Sequence, residues 1–176
     1  MDYHRGMPTE VWLTGAVPGY EPLLMPVVHS LLQVKAEIEA VASEVTDDEL
    51  WQRPAGVASV GFHIRHIGGS TERLLTYARG EQLTPAQLGA AQAESSEQVS
   101  REILLRGANA ALDRGLAQVH ATTIGALLEE RKVGRAGLPS TTIGLLFHVA
   151  EHATRHAGQA LTTARIVKAG TTRDAG

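Results

Sequence analysis

The stretch Phe147-His148-Val149-Ala150-Glu151-His152-Ala153-Thr154-Arg155-His156-Ala157-Gly158-Gln159 sets three histidines at four-residue steps. Residues four apart on an α-helix lie one above the other. The spacing therefore predicts a helix with His148, His152 and His156 in one imidazole stripe. Five of the chain's eight histidines fall either here or in a second short segment, Gly61-Phe62-His63-Ile64-Arg65-His66.

Working outward from this stretch, Ser140 or Thr141 caps a final helix over about 141 to 168, with Ile143, Leu145, Leu146, Val149, Leu161, Ile166 and Val167 as its apolar positions. The second histidine segment belongs to a helix capped by Ser59 and ended near Arg79 by Gly80. On it His63, His66, Ser70, Arg73 and Tyr77 share a face. Gly68 and Gly69 weaken that helix by about 1 kcal/mol each, and close approach of a neighbour would explain them.

A first helix is expected over about Glu21 to Val45, with Leu24, Val27, Val28, Leu31, Leu32, Val34, Ile38 and Val41 as its stripe. Thr46-Asp47-Asp48 caps a short turn at Glu49-Leu50-Trp51. A third long helix is expected from about Ser95 to His120, with Val99, Ile103, Leu104, Ala108, Ala111, Leu112, Leu116 and Val119 buried. Thr84 to Leu88 reads as a short turn. Residues 121 to 140 read as a loop region, with 122 to 128 as either a helix extension or an extended edge.

Four amphipathic helices without convincing strands predict an all-α four-helix bundle. Connections of about 13 and 20 residues exceed what an up-down bundle needs, which predicts a crossover. The chain reads as one domain over 1–176: an irregular arm at 1–20, pinned by Trp12 and Leu13, and a bundle at 21–168.

The 176 residues suffice for a core. A net charge of −3 without a basic run argues against nucleic acid. With no cysteine, a metal would have to be held by nitrogen and oxygen. The N-terminus lacks a secretion signal and no apolar run approaches the roughly 20 residues of a membrane span. The default address is cytoplasmic.

Two histidines at i and i+4, with a third from another helix, suit zinc, nickel or ferrous iron and leave positions open for substrate. His148 and His156 stand about 12 Å apart along the axis and cannot share an ion. The spacing leaves His148/His152 or His152/His156 as the pair, and His63 or His66 as the third ligand. The plain alternative is a polar helix face without metal. Glu151 fits an ion pair with Arg155 better than a general base, because it precedes His152 instead of following the first histidine of the pair. Arg73 and Tyr77 are weighed as anion-binding groups against solvated Arg and core Tyr. His29 reads as a core-edge residue, His4 and His120 as surface.

Ser59-Val60-Gly61-Phe62-His63-Ile64-Arg65-His66-Ile67, together with His148 to His152 and His156-Ala157-Gly158-Gln159, resembles the DinB/YfiT-like family. The resemblance spans about 21–168. It implies a four-helix bundle in up-down-down-up order and a divalent metal (zinc, nickel, iron or manganese) on His66, His152 and His156. His63 and His148 become neighbours of that site. Some relatives transfer small thiols, among them a mycothiol-dependent isomerase. The resemblance thus implies a metal-dependent enzyme with a small-molecule substrate, a thiol S-transferase acting on a low-molecular-weight thiol. A metal-dependent hydrolase and a non-catalytic, stress-associated metal- or ligand-binding bundle are the alternatives. Homodimerisation is common in the family and expected here.

Overall fold

The computed structural model describes residues 10–96 and 98–174. It is mostly helical, with one two-stranded hairpin: α1 Met25–Glu44, α2 Asp47–Leu50, α3 Val60–Ala78, α4 Pro85–Ala93, α5 Arg101–Ala121, β1 Glu130–Val133, β2 Leu138–Thr141 and α6 Thr142–Asp174.

Local chemistry sets the helix ends. Pro26 lies in the first turn of α1, where a missing N–H costs nothing. Thr46 and Glu49 form a capping box on α2. The Ser59 hydroxyl accepts from the Phe62 N–H to start α3, and Gly80, at φ 81°, ends it. Thr141 caps α6 by accepting from the Gly144 N–H.

The expected stripes pack together. Leu24, Val28, Leu31, Val34 and Ile38 meet Val60, Ile64, Ile67 and Leu75 of α3, Leu112 and Val119 of α5, and Leu146 and Val149 of α6. The α6 face is lined further along by Ala150, Ala153, Ala157, Ala160 and Ala164, all buried. Side chains this small let α6 pack close against the rest of the bundle. Ile166 and Ile103, expected in the core, are instead about half exposed at 49% and 55%.

Paired contacts fix the helix directions. Lys35 bonds Asp113 and Asn109 donates to Glu39, so α1 and α5 are antiparallel. Glu72 pairs with Arg114, and Gln118 donates to the Leu75 carbonyl, so α3 and α5 run the same way. His63 meets His156 and His66 meets His152, so α3 and α6 are antiparallel.

A parallel α3–α5 pair forces the chain between them to travel back along α3. That return is α4 and the segment after it. Gln87 donates to Thr76 Oγ1, and further on Arg65 reaches the Ala93 carbonyl. The short turn expected at 84–88 is therefore a nine-residue helix with its own capping box. It displaces the start of α5 to Arg101, with Ser100 as cap.

The absence of strands is corrected by β1 and β2, which pair antiparallel with Glu130 opposite Thr141 and Val133 opposite Leu138. Gly134 and Gly137 make the turn with positive φ. Arg131 donates to the Ala78 carbonyl, fastening the hairpin to the end of α3. The final helix also continues six residues past the expected 168.

Residues 1–9 of the arm, including His4, lie outside the described residues. Trp12 and Leu13 do not pin the rest of it, being 62% and 58% exposed. The arm is held by polar contacts instead: Val11 N–H to Gln33, His29 Nε2 to the Gly15 carbonyl, and Val17 N–H to Met25 sulfur. No helix among the described residues is long and apolar enough to cross a membrane.

Candidate metal centre

Five imidazoles gather where α3 crosses the first half of α6. Four-residue steps carry His148, His152 and His156 up α6, and the close, alanine-lined approach brings two of them against α3. The Nε2 atoms of His66 and His152 are 3.0 Å apart, and so are the Nδ1 atoms of His63 and His156. His66, His152 and His156 each offer a nitrogen within 4.8 Å of the others.

The surroundings decide which nitrogens are free. His66 Nδ1 donates to Glu94 Oε2 at 2.6 Å. A carboxylate only accepts, so the His66 proton sits on Nδ1 and a neutral ring keeps a bare lone pair on Nε2. Phe62 stacks on the same ring at 5.4 Å, tilted by only 10°. His156 has its Nδ1 engaged by His63, which leaves Nε2 for a ligand. His152 differs: its Nδ1 is buried and has no hydrogen-bond partner among the described residues.

Burial, and after it the charge of the neighbouring His66, together push the pKa values of His63, His152 and His156 down to about 4. These three rings are neutral at physiological pH, the form that binds metal. Glu94 is 6% exposed. Burial alone would raise its pKa, but its bonds to His66 and Arg73 outweigh that and hold the carboxyl below its ordinary value.

The donor set fits a borderline divalent cation. Imidazole suits zinc, nickel and ferrous iron. Nitrogens bound to one such ion at about 2.0–2.1 Å stand about 3 Å apart, as the two Nε2 atoms do.

The three histidines singled out from the family resemblance thus lie together, with His63 and His148 beside them. His148 is exposed, 3.3 Å from Glu151. Glu151 is bound by Arg155, as expected, with Nε at 2.8 Å from Oε1. That ion pair holds its carboxyl below its ordinary value. Arg73 is neither solvated nor free for an anion, since it clamps Glu94. Tyr77 is buried in the core. His29 ties the arm, and His120 is exposed against Tyr20.

Glu94 is the residue the sequence did not reveal. It lies in the return connection, 28 positions from His66, in a stretch of alanines and serines without periodicity. The only hint was Gly69 on α3, where a Cβ would collide with the Glu94 carboxylate, whose Cδ lies at 3.0 Å; Gly68 instead makes room for Ala108, whose Cα would stand 3.1 Å from an added Cβ.

A helical protein with three convergent imidazoles on two antiparallel helices is the class defined here. The family profile described as the DinB superfamily matches residues 30–160, well over half of the chain. The chain belongs to the DinB superfamily. No curated protein matches it.

Proposed function

We propose that this DinB-superfamily protein holds one divalent cation on His66, His152 and His156 and uses it to transfer a small thiol to an electrophile. One observation carries the reading: three neutral-capable imidazoles from α3 and α6 converge, and Glu94 fixes the tautomer of His66. The helix directions support the accompanying fold reading, a four-helix bundle of α1, α3, α5 and α6 in up-down-down-up order.

A bound divalent cation would lower the pKa of a coordinated thiol or water and supply a nucleophile at neutral pH. The protein's residues do the rest. His66, His152 and His156 present lone pairs. Glu94 and His63 hold two of those rings from behind, and Phe62 covers one. The thiol has to come from a cosubstrate, because the chain has no cysteine.

Transfer is favoured over hydrolysis by the state of the nearby carboxylates. Glu94 is taken by His66 and Arg73, and Glu151 by Arg155. A general base for water would have to leave an ion pair first. A closed, non-catalytic four-histidine site is disfavoured because His63 contacts His156 instead of joining the three convergent nitrogens. The same reading includes a cytoplasmic homodimer, for which the exposed Phe147 offers apolar surface. Sedimentation gives the oligomeric state.

The test is conjugation of glutathione, cysteine and a cysteinyl-glycoside thiol to chlorodinitrobenzene by the metal-loaded protein. Metal-dependent turnover, lost in His152→Ala, supports transfer. Ester hydrolysis without conjugation would replace it with a hydrolase. Metal binding with neither activity would leave a binding protein.

A further inference from the structure

We infer that Glu94 is a positioning residue for the metal centre, acting through His66, and that Arg73 and Gly69 exist on α3 to seat it. The inference rests on the metal reading above and deepens it. Four observations point the same way.

First, Glu94 is a buried carboxylate, and burying a charge without partners is costly. Its cost is met by two α3 groups about two turns apart. His66 Nδ1 binds Oε2 at 2.6 Å, and Arg73 binds Oε1, with a second contact to Oε2 at 3.3 Å. If Glu94 only fastened the connection to the bundle, the Arg73 fork would suffice. The second bond goes specifically to the ring nitrogen that faces away from His152.

Second, that bond decides which His66 nitrogen is bare. In the other tautomer the lone pair would face the carboxylate and the N–H would face His152. A carboxylate behind a ligand histidine fixes its tautomer, orients the ring and raises its basicity.

Third, α3 makes room. Gly69 stands under the carboxylate, where a side chain would displace Glu94 and crowd Arg73, whose nearest guanidinium nitrogen would be 2.9 Å from the added carbon. A glycine in the middle of a helix weakens it relative to Ala, and contact with Glu94 gives it a reason to be there.

Fourth, the support is uneven across the three rings. His66 has a carboxylate, His156 has His63, and His152 Nδ1 has no partner among the described residues. His66 is thus the best-anchored ligand, and its anchor arrives on the connection that the parallel α3–α5 pair forces back along α3.

The experiment uses the full chain in wild-type, Glu94→Ala, Glu94→Gln and Gly69→Ala forms, with two readouts. Side-chain 15N NMR of the metal-free protein at pH 7.5 reports the His66 tautomer. Competition against a chelator gives the Co2+ affinity. The wild type should show His66 with its proton on Nδ1. Glu94→Ala should lose that preference and bind Co2+ about 10–100-fold more weakly. Glu94→Gln keeps an acceptor without the charge and should fall between. Gly69→Ala keeps the carboxylate but moves it, and should weaken Co2+ binding while leaving thermal unfolding cooperative.

The inference is overturned if Glu94→Ala folds, keeps the Nδ1 proton on His66 and binds Co2+ within twofold of wild type. If Glu94→Ala does not fold, Gly69→Ala decides in the same terms. A wild type that binds no Co2+ overturns the metal reading and the positioning role built on it. The tautomer readout then shows separately whether Glu94 orients His66, so the two failures are distinguishable.

Discussion

The two sides of the histidine cluster are built differently. On α3, His66 is held at one edge and one face: Glu94 behind it, Arg73 behind Glu94, Phe62 across the ring. On α6, His152 reaches the same point with its second nitrogen buried and without a partner among the described residues, beside the exposed His148 and the Glu151–Arg155 pair. The α3 side is pre-organised. The α6 side relies on helix spacing and on alanines that let it approach.

The largest effect that would sharpen this contrast is loss of a ligand. His66→Ala and His152→Ala should each abolish stoichiometric binding in a Co2+ titration followed by absorbance. Retained binding in either would remove that residue from the set.

Disturbing the approach of α6 comes next. Ala153→Leu forces a large side chain into a fully buried position between α6 and its neighbours. Overpacking of this kind costs about 1–3 kcal/mol, read as a lower urea midpoint. It should also weaken Co2+ binding, because the two walls are pushed apart. Unchanged affinity would show that the α6 wall adapts.

Acidity tests both walls together. His63, His152 and His156 are depressed from the ordinary 6.5 to about 4 in the folded state, mainly by burial. As pH falls below about 6.5 the unfolded chain takes up protons that the folded chain refuses, so stability falls. The metal-free protein should keep its stability above pH 7 and lose it progressively toward pH 4, in urea unfolding at several pH values. A flat profile between pH 7 and 4.5 would contradict the burial of these rings.

The smallest expected effect is at His148. It is exposed and pairs with Glu151, so His148→Ala should leave Co2+ affinity within about twofold of wild type, far from the 10–100-fold typical of groups that support a ligand. A larger loss would give the α6 wall a support not assigned to it here.

Much of this was legible in the sequence for physical reasons. The three- and four-residue histidine steps survive into the fold because helical periodicity is local, and Thr46, Ser59 and Gly80 mark boundaries by their own chemistry. What was not legible depends on distance or on small residues. Glu94 finds His66 only after the chain turns back along α3. The Glu130-Arg131-Lys132-Val133 strand looks like a charged loop, and Pro139 in its partner argues against a strand until the hairpin closes. The alanines of α6 contribute little to an apolar stripe, yet all five are buried where the helix packs into the bundle.

The central claim is that these imidazoles hold a metal. The most direct measurement is metal content by mass spectrometry on tag-free protein beside His152→Ala. About one zinc, nickel, iron or manganese per chain in the wild type, lost in the variant, is the predicted result. No metal in either, even after reconstitution with these ions, would contradict it.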